Sequence, residues 1–515
     1  MQRMLDALHD GHFYLLIIGG GITGAGVALD ATLRGLRVAL IDKGDFASGT
    51  SSVSTKLVHG GLRYLEQGHI GLVYEALHER RRLLRNAPHL VRPIRFVIPF
   101  CTGARVPPWK WRAGLMLYDV LAGRGNLWRS RDCPLSRLRQ EFPGLACAGL
   151  TGGAAYADAM MDDARLCIEV IHTAVHEGAV AANYVEAVGF DWPSGIVHAV
   201  DRLTGRELRI RARFVVNAAG PWLEQVRRLA GETEDGPLLA PTKGVHVVAP
   251  DRRLPAALLL LHPRDGRVFF VLPWMGKTLI GTTDTDFSGS PDDLAVREEE
   301  IAYLLEGHNH FFRRPLERAD LLGSFAGLRP LLRSRQGEPS ARSREFRVLT
   351  GSTGLITVAG GKYTTFRHMA EVIVDAVMQR LGRRRRCRTQ AFPLLGAPRG
   401  DWSAFVEQTT AALSRIGGLD QTAARHLVDR YGTRAATGAR HVQRQPELAK
   451  PIVAGEPDLL AELAYQREHE MAILPADFYL RRTRLGLYRR EVLSSETPLR
   501  LLDACGRTRD NFIHL

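Results

Sequence analysis

Apolar and polar positions alternate in two textures along the chain. An unbroken apolar run over 14–18 predicts a strand buried on both faces. Gly19, Gly21 and Gly24 follow. A helical pattern then runs through Val27, Leu29 and Leu33, and a second apolar strand over 38–41 ends in Asp42. Residues 72–87 read as a basic helix ended by Pro88, 91–100 as a strand, and 163–177 as a helix with Leu166, Val170 and Val175 inward. Strand-like segments recur over 180–216. From 242 to 349 the runs shorten (GVHVVAP, RVFFVLPW, KTLIGTTD, EFRVLT), which predicts a separate sheet, with a helix at 297–312 and a basic segment at 313–336. The first texture returns at 355–359 as a strand, Gly360-Gly361 and a helix to about 381. Past RRRRCR at 383–388, helical periods occupy 401–416, 421–431, 457–472 and 475–489.

These textures give an α/β chain. A discontinuous Rossmann-like dinucleotide-binding domain is expected over 12–100, 150–240 and 350–382. An antiparallel or mixed sheet domain for substrate is inserted over 241–349, and a helical C-terminal domain occupies 389–515. Residues 101–149 form an excursion from the first domain. Within it, Pro107 and Pro108 start a helix carrying Trp109 and Trp111 beside Lys110 and Arg112, ahead of Leu115, Met116, Leu117, Tyr118, Val120 and Leu121. That composition suits a helix lying in a membrane interface, with the arginines of 80–85 adding long-range attraction. It equally suits a buried helix with tryptophans at its edge.

At 515 residues and 57.1 kDa the chain has room for two or three domains. Its 45% hydrophobic and 24% charged residues are those of an ordinary globular protein, and no apolar run is long enough to span a bilayer. No secretory signal is expected at the start. The six cysteines are far apart in sequence and show no CxxC or zinc spacing, so they read as reduced thiols in a cytosolic compartment, with no metal site. The formal charge of +14 favours an anionic substrate or an anionic lipid surface. Nucleic acid would share that preference, but no RRM, zinc finger or RGG tract accompanies the charge, and it is not expected as a partner.

The glycine spacing carries the first piece of chemistry. Gly19 makes the tight turn, Gly21 lets the backbone approach a pyrophosphate, Gly24 lets helix and strand pack closely, and Asp42 accepts from an adenosine ribose. Residues 43–68 then place two hydroxyl clusters, Thr50-Ser51-Ser52 and Ser54-Thr55, before Lys56, Leu57, His59, Gly60, Gly61 and Arg63-Tyr64. Small residues there admit a flat ring close to the backbone, while hydroxyls and amides donate to it. Ala219 and Gly220 at the end of an apolar strand, and Gly361 and Lys362 before a helix, lie where parallel sheets bind ligands.

Together the blocks GGGITGAG (19–26), TSSVSTKLVHGGLRYLE (50–66), VNAAGPW (216–222), PTKGVHVV (241–248), IGTTDTD (280–286), GLRPL (327–331) and AGGKYTTFR (359–367) resemble the FAD-dependent glycerol-3-phosphate dehydrogenases. The resemblance extends into the helical end at 468–486. It implies FAD as cofactor, a substrate sheet above the isoalloxazine and a helical cap. The implied activity is oxidation of sn-glycerol 3-phosphate to dihydroxyacetone phosphate, with membrane quinone as acceptor. It further implies a homodimer attached peripherally to the cytoplasmic face of the inner membrane. Asp42 stands where the bacterial family often has Glu. The family pattern places Arg63, Arg329, Arg344 and Lys362 around the substrate, and a phosphate needs such cations. His59 and His246 are the candidates for the general base, with no choice between them. The alternatives are a glycerol-3-phosphate oxidase, which would pass electrons to oxygen, or another FAD-dependent oxidoreductase.

Overall fold

The computed structural model describes residues 1–232, 236–333, 345–416 and 418–494. Its centre is a sheet of parallel strands in the spatial order Ile356–Gly360, Glu207–Asn217, His12–Ile18, Val38–Ile41, Val180–Ala182. Val38–Ile41 is buried throughout, as a central parallel strand requires. Helices Ile22–Leu33, Asp163–His176 and Phe366–Arg380 cover one face and share a single apolar core with the strands. Gly24 permits this packing, since a Cβ there would strike the carbonyl oxygen of Gly19, and one at Gly26 would meet the Phe366 ring at 2.8 Å.

A second, ten-stranded sheet stands beside the first. Strand Thr242–Pro250 pairs antiparallel with Lys277–Gly281 on one side and Gly323–Arg329 on the other, so Arg329 lies opposite Thr242 and His246 opposite Gly281. The sheet is not confined to 241–349. Val91–Phe100, Arg131–Pro134, Gly152–Met161 and Leu57–Val58 complete it, whereas Phe346–Thr350 edges the first sheet. The expected domain limits at 100, 150 and 349 therefore do not follow the sheets. Pairings such as Ala257 with Phe96 join segments remote in sequence, and no local period reports them.

The same pairing corrects the reading of the cysteines. Phe100 lies opposite Gly152, which brings the two ends of the 101–149 excursion together, and Cys101 and Cys147 form a disulfide with Cα atoms 6.0 Å apart. Cys133, Cys167 and Cys387 are thiols. The excursion carries helix Pro108–Ala122, which buries Leu115, Tyr118 and Ala122 and turns Trp109, Met116 and Val120 outward. Leu115 is thus core, and Trp111 packs half-buried against that core. Arg80 is another correction. It is fully buried, pairs with Asp158 at 2.6 Å and donates to the Ala157 carbonyl, so it adds nothing to the surface field.

The cap contains helices Trp402–Leu413, Gln421–Tyr431, Ala435–Arg444 and Leu460–His469. Asp401 and Asp420 start the first two by accepting from Ala404 N and Ala423 N. The expected helix over 475–489 is helical only in its first half, through the π-helix Asp477–Arg482, and breaks at Arg484, φ 73°, into short 3-10 turns. Among the described residues no helix is long and apolar enough to cross a membrane.

Candidate active site

A cleft of about 920 Å³ opens where the carboxyl ends of the parallel strands meet the second sheet. Its floor is the turn 19–21 with Ile22 and Thr23. One wall is 42–44 with 48–51, the other 218–222 with 360–363, and residues 326–328 of the second sheet close one end. The turn is held by Gly19 N donating to Ile41 O at 2.8 Å. Gly21 then opens helix Ile22–Leu33, whose first-turn amides face the cleft as anion donors. A Cβ on Gly21 would meet only Ser51 Oγ, at 3.2 Å, so the space above it is otherwise open. Ser51 Oγ accepts from Ile22 N at 2.9 Å, and Thr50 Oγ1 donates to Leu328 O at 2.7 Å, tying this wall to the second sheet.

Asp42 accepts from Gly20 N at 2.6 Å and from Gly44 N at 2.8 Å. Burial nevertheless pushes its carboxyl up to about 6. A ribose hydroxyl donating to it would return some of the solvation that burial removed. The volume of the cleft, the glycine cradle and this acid fit FAD. Lys43 and Trp222 face each other across the opening, the ammonium 4.8 Å from the indole ring centre, and both donate to Asp292 of the second-sheet domain, at 3.3 and 3.0 Å.

Of the residues expected to bind the cofactor, Gly19, Gly21, Asp42, Thr50, Ser51, Ala219, Gly220, Gly361 and Lys362 line the cleft. Gly24 serves helix packing instead. Ser52, Lys56 and Leu57 stand behind the wall, all buried. Lys56 points away from the cleft to Asp163, at 2.7 Å, and its ammonium is pushed down to about 7 by burial, with the charge of Arg484 adding to the effect. Its sequence neighbours suggested phosphate contact; the left-handed backbone at Lys56, φ 64°, turns it inward. Gly60 N donates to Tyr118 Oη at 2.8 Å, and Gly61 at φ 84° leaves room for the Tyr64 ring.

The expected substrate cations gather around groups that the sequence did not single out. The Lys362 ammonium sits 4.0 Å from the centre of the Tyr64 ring, and the Arg63 guanidinium lies over the same ring and donates to Tyr64 Oη at 3.2 Å. Arg329 pairs with Asp284 at 3.0 Å and donates to Thr282 Oγ1 at 2.9 Å. Arg344 lies outside the described residues. Asp284 belongs to IGTTDTD, where an acid among threonines gave no sign of its arginine partner across the sheet.

The two histidines differ sharply. His246 is buried, stacked on Phe325 with ring centres 5.0 Å apart, and its Nε2 lies 3.0 Å from Thr55 Oγ1. Burial holds its imidazole well below the ordinary value, and the charges of Lys56 and Arg329 act in the same direction. His59 is half-buried, its backbone N 3.4 Å from Thr364 Oγ1 in the turn that follows Lys362, and its ring is edge-on to Phe270 of the second sheet.

A glycine-turn cleft with a buried acid ending its second strand, closed at one end by a second sheet that carries Arg329, is the architecture of a dinucleotide-dependent oxidoreductase. Residues 15–367 match the FAD dependent oxidoreductase family, and 387–498 match the C-terminal domain of alpha-glycerophosphate oxidase. The chain is 37% identical over 500 residues to the aerobic glycerol-3-phosphate dehydrogenase of Staphylococcus saprophyticus, covering 94% of this chain and 88% of the relative. It is 38% identical over 508 residues to a mitochondrial glycerol-3-phosphate dehydrogenase of Arabidopsis thaliana, covering 92% and 79%. The Bacillus halodurans glycerol-3-phosphate dehydrogenase, solved with FAD, superposes with a TM-score of 0.80 at 32% identity over 97% of this chain and 92% of that one. The chain belongs to the FAD-dependent glycerol-3-phosphate dehydrogenase family.

Proposed function

We propose that the protein oxidises sn-glycerol 3-phosphate to dihydroxyacetone phosphate and hands the electrons to membrane quinone. The observation carrying the substrate is a set of cations beside the cleft, in the family to which this chain belongs: Lys362 lines it, Arg63 lies over the same Tyr64 ring as Lys362, and Arg329 stands between the lining residues Leu328 and Pro330. FAD supplies the hydride acceptor. The phosphate dianion meets guanidinium forks and an ammonium, which together fix the secondary carbinol in one orientation. The hydroxyl proton goes to His59. His246 is enclosed against Phe325 with its Nε2 on Thr55 Oγ1, and burial lowers its basicity, which disfavours it as the acceptor. Arg329→Ala should lower kcat/KM for glycerol 3-phosphate by about 2–4 kcal/mol, or about 30- to 1000-fold, with FAD content unchanged. An unchanged kcat/KM would remove Arg329 from the site.

The quinone reading rests on the outward face of helix Pro108–Ala122. Trp109, Met116 and Val120 are 68%, 71% and 67% exposed, and Ile70 and Tyr74 on the adjoining helix Ile70–Asn86 are also exposed. Clustered large apolar groups of this kind mark an interaction surface. Quinone resides in the hydrocarbon layer, so an enzyme reducing it must reach that layer from the cytoplasmic face. Lys110 and Arg112 are paired with Glu66 and Asp132, leaving the apolar residues as the principal contact. Each such side chain is worth about 1.5–3 kcal/mol when buried. Trp109→Ser/Met116→Ser should therefore weaken sedimentation with anionic vesicles at high salt by about tenfold or more, while dye reduction by glycerol 3-phosphate persists. Equal sedimentation of wild type and variant would move the contact elsewhere. Peroxide formed in stoichiometric yield during turnover in air would favour oxygen as the acceptor.

A further inference from the structure

Behind the cleft wall at residues 50–53 lies a buried charged cluster that joins three parts of the molecule. Asp163, at the start of helix Asp163–His176, is fully buried. Its Oδ2 accepts from Ser54 N at 3.0 Å, Ser54 Oγ at 2.7 Å and Lys56 Nζ at 2.7 Å. Its Oδ1 accepts from Ala164 N at 2.9 Å and from Arg484 Nη2 of the helical cap. Lys56 Nζ and Arg484 Nη2 converge a second time on the carbonyl of Ser52, at 2.6 and 3.2 Å. Tyr363, on the opposite wall, donates through its hydroxyl to the Asp163 carbonyl.

Two features set this cluster apart from ordinary core packing. Lys56 and Arg484 are both held in the left-handed region, at φ 64° and 73°, a conformation that non-glycine residues adopt at a cost and that persists where surrounding contacts over-determine it. Buried ion pairs are also a weak source of stability compared with apolar packing, but they fix geometry where their hydrogen bonds are directed. Here they are directed at Ser52, next to the Ser51 hydroxyl that accepts from the first amide of the phosphate-facing helix. They also bracket Thr55, which contacts His246.

We propose that Asp163 and Arg484 are positioning residues for the flavin site. Through Ser52, Ser54 and Lys56 they clamp residues 50–56 against the glycine turn. The helical cap, none of whose described residues lines the cleft, thereby sets the geometry at the cofactor. This rests on the FAD-dependent reading of the cleft. The test uses the full chain, stripped of FAD and reconstituted, as Asp163→Asn, Arg484→Met and the double variant. Each single change should raise the Kd for FAD at least tenfold. At saturating FAD, kcat should fall at least tenfold, with KM for glycerol 3-phosphate within threefold of wild type. The double variant should be no worse than the poorer single variant within threefold, because both remove one clamp. If Arg484→Met does not fold, Arg484→Lys replaces it. That variant keeps the charge but loses the fork, and its Kd for FAD should rise at least threefold. A lowered Tm with unchanged FAD affinity and kcat overturns the proposal, as does full additivity in the double variant. If wild type fails to turn over glycerol 3-phosphate, the substrate reading falls and the FAD affinities still decide the clamp.

Discussion

Gly21→Val is expected to give a folded protein that purifies colourless. At Gly21 the backbone has φ −78° and ψ 179°, extended values that valine adopts without strain. An added Cβ meets only Ser51 Oγ, at 3.2 Å, a tight contact that a small shift of this side chain relieves. The branched side chain instead fills the space where a pyrophosphate approaches the helix amides. Gly24→Ala is the contrasting control. Its Cβ would strike the Gly19 carbonyl, so that change should damage the fold before it reaches the cofactor. Absorbance of the purified proteins separates flavin loss, and circular dichroism separates unfolding. Full flavin stoichiometry in folded Gly21→Val would show that the turn does not carry the pyrophosphate.

His59→Asn should lower kcat by about 10²–10⁴-fold, the range that a positioned general base contributes, with FAD content and KM little changed. His246→Asn should cost less, because its ring is enclosed by Phe325 and lies against Gly281 rather than open to solvent. The comparison is read from flavin reduction in single turnovers, which isolates chemistry from re-oxidation. A larger loss in His246→Asn than in His59→Asn would transfer the proton to His246 and make His59 a support for the cofactor.

The strand–turn–helix over 12–33 was legible because every one of its signals is local: an apolar run, three spaced glycines, and an acid ending the next strand. Thr50 and Ser51, and the glycine pair at 360–361, all of which line the cleft, stood out for the same reason. What escaped depends on pairing at a distance. The strand at 91–100 is visible as a strand, yet only its partners Ala257–Leu261 and Gly152–Met161 assign it to the second sheet. Cys101 and Cys147 look unrelated until that pairing returns the chain to its starting point. Lys56 sits among hydroxyls and glycines that suggest an anion, and a single left-handed residue turns it to Asp163 instead. Arg80 lies in a run of arginines that reads as a charged surface, but helix geometry sends it inward to Asp158 while Arg81 stays outside. Asp163 carries no motif, and Arg484, though inside the block at 468–486, gives no sign in sequence that the two meet; their contact exists only after the cap has docked.

Anaerobic mixing of the purified yellow protein with sn-glycerol 3-phosphate tests the central claim most directly. The flavin absorbance should bleach as dihydroxyacetone phosphate appears in stoichiometric amount, and glycerol at the same concentration should leave the protein yellow, since it gives the arginines no phosphate to hold. Flavin that stays oxidised with glycerol 3-phosphate, or that glycerol bleaches equally fast, would contradict the account.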